Sequence, residues 1–258
     1  LKDNYELKAL DTRVLNFDHE NNHSANVYMN TGSGDFAYIK GDVNTDTMHS
    51  AFSIEAEVIV PQKLKEDHPS YTNKSFTTSS IFGFHQIDDV GGTAPFNDYY
   101  GGAQLDAPNK NIKVLLASTV NRDESKFVIS GSDSLYLTSS IIKNVYSNSK
   151  WNLVLRVNSA KYPYSELNGA GTPTVDISLY GIELVNGEIN NYVNLTASNI
   201  TQGRQYLTSS KKVFVGAEKE NFVGNIINYS DVKVGDVKYW QSYITNEDLK
   251  QHAPLSSE

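Results

Sequence analysis

The sequence predicts an all-β protein, a two-sheet antiparallel β-sandwich closed by one short C-terminal helix, and three observations predict it. First, two segments alternate as half-buried strands do. Phe52, Ile54, Ala56, Val58 and Val60 share one face while Ser53, Glu55 and Glu57 share the other; Trp151, Leu153, Leu155 and Val157 stand opposite Asn152 and Arg156 in the same way. Second, the chain is cut by Gly, Asn, Asp, Ser and Pro into roughly a dozen short strand-like segments, about what two packed sheets of this length use. Third, no long amphipathic helical pattern is present, and the 16 tyrosines suit strands.

In chain order the predicted strands are 12–17, 36–39, 52–60, 80–86, 112–120, 125–130, 134–141, 151–157, 174–182, 192–197, 212–217 and 231–240. Three long polar loops separate some of them, at 18–35, 61–79 and 87–111. In the last strand Val232, Val234, Val237 and Tyr239 are the apolar positions, with a change of phase at Gly235 that predicts a bulge. Thr245 then offers an N-cap, Asp248 three residues later completes a carboxylate form of the capping box, and Glu247 adds negative charge where the helix dipole favours it. The helix is expected to run through Leu249 and stop before Pro254. There is no repeat at the 20–50 residue period of solenoids and propellers.

These segments, in this order, resemble laminin-G-like and concanavalin-A-like lectin/glucanase jelly-roll domains. Val14-Leu-Asn-Phe-Asp18 resembles the opening strand, Phe52-Ser-Ile-Glu-Ala-Glu-Val58 the F-S-I-x-A-x-V core strand, and Lys150-Trp-Asn-Leu-Val-Leu-Arg-Val157 the strand that follows the family's tryptophan. Val213-Phe-Val-Gly-Ala217 and the tail from Tyr239 to Ala253 complete the series, so the resemblance covers nearly the whole chain. It implies a single jelly-roll domain over residues 1–258. The tail is similar to the ends of such domains in phage virion proteins and bacterial surface proteins, which implies an extracellular or virion-surface location within a larger protein or assembly. A start at Leu1 rather than methionine fits a processed product or a domain of a longer protein.

Composition narrows the partners. A net charge of −8, with lysines scattered among acids, argues against a nucleic-acid groove. Without cysteine there is no disulfide framework, thiolate metal site or thiol nucleophile. No apolar run is long enough to span a bilayer as a helix.

Candidate chemistry falls in four places. His19-Glu-Asn-Asn-His23 matches H-E-x-x-H, but zinc binding by that pattern needs a helix, and this stretch lacks the apolar positions to bury one; it reads as polar loop. Laminarinase-like relatives of the fold carry E-x-D-x-E or E-x-D-x-x-E on one strand, holding two carboxylates about 5–5.5 Å apart. Neither triplet occurs, and the nearest approach, Glu55-Ala-Glu57, reads as two solvated carboxylates on an outer face. No nucleophile elbow, phosphate loop or dinucleotide fingerprint is found. In the 87–111 loop Asn97, Asp98, Tyr99 and Tyr100 combine an aromatic face with hydrogen-bonding groups, the chemistry that recognises sugar rings; the plainer reading is tyrosines packing loop onto sheet or onto a neighbouring subunit. Asp88, Asp89 and Asp98 are hard oxygen ligands suited to calcium, common in relatives of the fold. Of Tyr239 and Trp240, one is expected in the core and the other partly exposed. Asn22, Asn73, Asn194, Asn199 and Asn228 open N-x-S/T triplets.

The sequence thus leads to a non-catalytic adhesion or decoration module binding a glycan or cell-surface polysaccharide, with no required cofactor and calcium as an optional one. The alternatives are a structural domain docking on neighbouring chains of one assembly, and a divergent polysaccharide hydrolase or lyase.

Overall fold

A computed structural model describes residues 15–16, 24–29, 51–62, 78–86, 111–119, 122–132, 134–159, 174–200, 206, 211–219, 225–240 and 242–255. Their strands form two antiparallel sheets. In chain order these are β1 (Leu15–Asn16), β2 (Ser24–Met29), β3 (Phe52–Val60), β4 (Thr78–Gln86), β5 (Asn111–Ser118), β6 (Glu124–Gly131), β7 (Tyr136–Thr138), β8 (Ile142–Lys143) and β9 (Ser149–Ser159). They continue with β10 (Val175–Val185), β11 (Glu188–Ile200), β12 (Lys211–Gly216), β13 (Glu218–Lys219), β14 (Ile226–Asn228) and β15 (Lys233–Trp240), and the helix α1 (Asn246–Leu255) closes the order. One sheet has the order β1-β15-β3-β9-β10-β11; the other runs β2-β12-β4-β5-β6-β7, with β8 also paired to β6. A separate ribbon pairs β13 with β14. The architecture is the predicted jelly-roll sandwich, with a short capped helix at its end.

The core sits between the sheets, where the alternation of the sequence puts it. Phe52, Ile54, Ala56, Val58 and Val60 of β3 and Trp151, Leu153, Leu155 and Val157 of β9 face Phe82, Phe84, Ile112, Val114, Leu116, Phe127 and Ile129 from the other sheet. Phe127 and Trp151 meet at 4.7 Å between ring centroids, and Phe52 lies edge-on to Phe84 at 5.4 Å. Such aromatic pairs add to the area they bury. Trp151 is fully buried, so its indole N–H needs an acceptor; Ser149 Oγ supplies one at 3.1 Å.

Three expectations change. Ser24–Met29 is a strand, paired in register with β12 from Val27↔Val213 to Ser24↔Gly216, inside what reads in the sequence as a polar loop. Its partner strand supplies the pairing that the asparagines around it conceal. The predicted 134–141 strand is instead β7 followed by β8, both on β6. The helix continues through Pro254 to Leu255, with the proline next to its last residue, where assigned helix ends vary by a residue or two. The predicted strand 36–39, residues 63–77 of the predicted loop 61–79 and most of the loop 87–111 lie outside the described residues, and the end of the second loop, Thr78 and Ser79, belongs to β4.

The phase change in the last strand is confirmed. Between Val234↔Val58 and Val237↔Ala56 the register slips, so Gly235 and Asp236 form the bulge. A Cβ on residue 235 would stand 3.1 Å from Glu57 Oε1, so glycine here leaves room for that carboxylate. Beyond the bulge Tyr239 returns to the main core, stacked on Phe52 at 5.6 Å, while Trp240 turns to the opposite face. Both aromatics are thus half-buried, Tyr239 against the main core and Trp240 against the cluster on the other face, where the sequence leads to one core and one partly exposed position.

Candidate functional site

The expected ligand-binding residues Asn97, Asp98, Tyr99 and Tyr100 and the expected calcium ligands Asp88, Asp89 and Asp98 lie outside the described residues. Their setting is defined at both ends. β4 ends at Gln86, β5 begins at Asn111, and the two strands are neighbours in the interior of the seven-stranded sheet, with His85 opposite Asn111. The pair could be joined by a hairpin turn of about two to five residues, yet residues 87–110 separate them. The hairpin between β10 and β11 shows the economical alternative: two residues, Asn186 at φ 53° and Gly187 at φ 80°, make the whole turn. His19, Glu20 and His23 also lie outside the described residues, between β1 and β2. Among the described residues no group of three His, Cys, Asp or Glu is placed to hold a metal. No described helix is long and apolar enough to cross a membrane.

The described polar chemistry concentrates on the outer face of the six-stranded sheet. Here the expectation of solvated carboxylates fails: Glu55 is only 5% exposed. The reason is that the segment after β15 folds back over this face. Ile244, Leu249 and Ala253 pack on Val154, Tyr180 and Ile182, with Leu184 and Trp240 at the margin, as a second, smaller apolar cluster. Asn152 and Arg156 point outward as their alternation requires, yet each is only 3% exposed.

Polar side chains fix that cover to the sheet. Ser53 Oγ donates to Ser242 O at 2.8 Å and accepts from Ile244 N at 3.0 Å. Arg156 donates through Nε to Ser178 Oγ, and through Nη1 to Ile244 O and Asn246 Oδ1 at 3.2 and 2.8 Å. Its guanidinium lies 5.0 Å from the ring of Tyr243 and 5.7 Å from that of Tyr180. Burial lowers its pKa from the usual arginine value. Glu55 Oε2 accepts from Trp240 Nε1 at 2.9 Å and lies 3.0 Å from His252 Nδ1, while the Trp240 and His252 rings stack at 5.3 Å. At the helix start, Thr245 N and Oγ1 both donate to Asp248 Oδ2, at 2.8 and 2.7 Å, and Asp248 N donates back to Thr245 Oγ1 at 3.1 Å. These bonds hold the Asp248 carboxyl below its ordinary value.

Beside the helix the same face has a shallow hollow lined by Glu55, Glu57, Asn152, Asp236 and Lys238, with room for about one water. Glu57 Oε2 stands 3.1 Å from Lys150 Nζ, and Lys238 Nζ lies 3.1 Å from Asp236 and 3.9 Å from Glu55 Oε1. The sequence signal for this group is partial. The outward phase of Glu55, Glu57 and Asn152 is legible, but His252 and Trp240 join them only through the fold-back of the chain.

No model of a known protein family matches the sequence, and no curated protein matches it. Comparison with solved structures gives matches of low similarity. A native heptameric SAP-like pentraxin from Limulus polyphemus is 10% identical, with a TM-score of 0.44 over 90% of this chain and 82% of its own. The CBM40 of the Ruminococcus gnavus IT-sialidase, bound to α2,6 sialyllactose, is 9% identical, with a TM-score of 0.37 over 89% of this chain and 97% of its own. A marine PL-14 alginate lyase from Aplysia kurodai is 7% identical, with a TM-score of 0.38 over 90% of this chain and 88% of its own. At these values nothing about ligand or activity passes from those proteins to this chain.

Proposed function

We propose that this chain is a non-catalytic adhesion or decoration module, one jelly-roll domain of a virion or cell-surface protein, that binds glycans weakly through the segment between β4 and β5. The observation that carries the reading is that segment's insertion point. Two strands paired in the interior of a sheet are separated by residues 87–110, and long connections of this kind within compact domains are commonly functional. The segment holds Asn97, Asp98, Tyr99 and Tyr100, aromatic faces beside hydroxyl-binding groups, and Asp88, Asp89 and Asp98, which suit calcium. The non-catalytic part of the reading is supported by Glu55 and Glu57: the first is engaged by Trp240 and His252, and the second is ion-paired with Lys150.

The test is a glycan-array screen of the domain in multivalent display, with and without calcium, since single lectin-like sites are weak and avidity reveals them. Retention on a defined glycan, lost in the Tyr99→Ala/Tyr100→Ala double variant, is the expected outcome. Silence in both conditions overturns it, and so does turnover of a polysaccharide that is lost on Glu55→Gln or Glu57→Gln.

A structural domain docking on neighbouring chains is the second reading, and a specific observation favours it. β11 is an edge of the six-stranded sheet, 13 residues long, with Tyr192 69% exposed and Ile189 also open to solvent, next to the exposed Val185 at the end of β10. A long edge strand with exposed apolar side chains is a ready surface for another chain.

A further inference from the structure

We propose that Asn186–Gly187, the turn joining β10 to β11, is a self-modifying site. Its side-chain amide is lost through a cyclic imide, with water as the only co-reactant, and the isoaspartate that results unlocks the end of the edge strand β11. The inference is independent of the proposed role of residues 87–110. The sequence holds two Asn-Gly dipeptides, at Asn168 and Asn186, and the first lies outside the described residues. Glycine after asparagine leaves the attacking main-chain nitrogen unshielded, because no Cβ stands beside it. At Gly187 the surroundings are open as well: both turn residues are exposed, and a Cβ built on Gly187 would meet nothing within 4 Å.

The φ angles of 53° and 80° are those of a type I′ turn. That conformation turns the Gly187 nitrogen away from the Asn186 side chain, so the ring closes when the turn opens. Opening is local. The β10–β11 register slips between Glu183 and Leu184, and beyond the slip only Leu184↔Ile189 and Val185↔Glu188 close the tip. Val185 and Ile189 are 45% and 47% exposed, so little apolar burial holds these two pairs together.

In the reaction the Gly187 amide nitrogen gives its proton to hydroxide and bonds to Asn186 Cγ, and the side-chain nitrogen leaves as ammonia. Water then opens the five-membered imide at one of its two carbonyls. Attack at Cγ leaves aspartate; attack at the main-chain carbonyl leaves isoaspartate, with the chain running through the former side chain. One water is consumed, one ammonia is released, and no electrons are exchanged. Aspartate keeps the turn, since Asp-Gly suits type I′ as Asn-Gly does. Isoaspartate adds a methylene to a turn built for two residues, and its carboxylate falls in sequence between Glu183 and Glu188. Both changes favour the open tip, which frees the backbone at the start of β11.

The experiment stores the full chain at physiological temperature, at neutral and at mildly alkaline pH, and follows it over weeks by peptide mapping. Fragmentation tells Asn186 from Asn168 and isoaspartate from aspartate. Conversion at Asn186 is expected, with isoaspartate the main product, and faster in alkali because the attacking nitrogen must lose its proton. Asn186→Gly, which keeps a glycine pair suited to the same turn, should show no conversion there and unchanged amide protection. In the chain carrying isoaspartate, amide exchange over 184–189 should quicken by roughly tenfold or more while 175–182 stays protected. An Asn186 that stays intact in the folded chain while it converts in the urea-unfolded chain overturns the proposal, since the turn then never opens far enough. Conversion that leaves exchange over 184–189 unchanged overturns the effect on β11.

Discussion

Glu55 uses one carboxylate oxygen to hold two side chains, Trp240 and His252, that arrive nearly two hundred positions later in the chain. Its removal leaves the half-buried indole N–H without this acceptor, and a hydrogen bond to a charged group is worth about 1.5–3 kcal/mol. Glu55→Ala should therefore lower unfolding stability by roughly 2–3 kcal/mol in a denaturant titration. Had the carboxylate been solvated, as the alternation alone implies, the change would sit within about ±0.5 kcal/mol. At this scale the sequence is legible in phase but not in environment. That Glu55, Glu57, Asn152 and Arg156 leave the core is written in the period of two; that Glu55 and Arg156 are covered depends on the end of β15 and the segment after it, whose sequence says nothing of which face it reaches.

The helix α1 is the element read most directly, because its start is built from neighbours in sequence. Thr245 and Asp248 make the reciprocal cap that their spacing predicts. The lowered pKa of Asp248 gives the cap a pH dependence of known sign. The carboxylate's contribution is present above the ordinary aspartate range and is lost as pH falls through the lowered value. Amide protection over 246–250, taken as exchange corrected for the intrinsic slowing of amide exchange in acid, should fall on acidification in the wild type, and Asp248→Asn should flatten that dependence. Equal acid sensitivity in both proteins would assign the effect to another group. β2 is the opposite case: Ser24-Ala-Asn-Val-Tyr-Met29 carries little strand signal, and it is ordered by the ladder that β12 offers. Local propensity yields to tertiary pairing there.

For the whole molecule, the cover after β15 completes the sandwich. Ile244 and Leu249 are buried, and each such side chain is worth about 1.5–3 kcal/mol. A chain ended after Trp240 would also uncover Val154, Tyr180, Ile182 and Arg156. It should melt lower by on the order of 10 °C in calorimetry and aggregate more readily; an unchanged melting temperature would show that the cover adds nothing. The class of fold was legible from alternation and punctuation, since a two-sheet sandwich needs little else. The order of strands was not, because pairing partners such as β15 and β3 are chosen by complementarity between segments far apart in the chain.

That order has a consequence for how the protein comes into being. β15 lies between β1 and β3 in the interior of its sheet. While a ribosome is still making the middle of the chain, β3 therefore has one side open, waiting for a partner that does not yet exist. Contacts of such long sequence separation are slow to form. The early strands must stay unaggregated through most of synthesis, and the polar outward residues of β3, Ser53, Glu55 and Glu57, keep that waiting strand from being apolar on both faces.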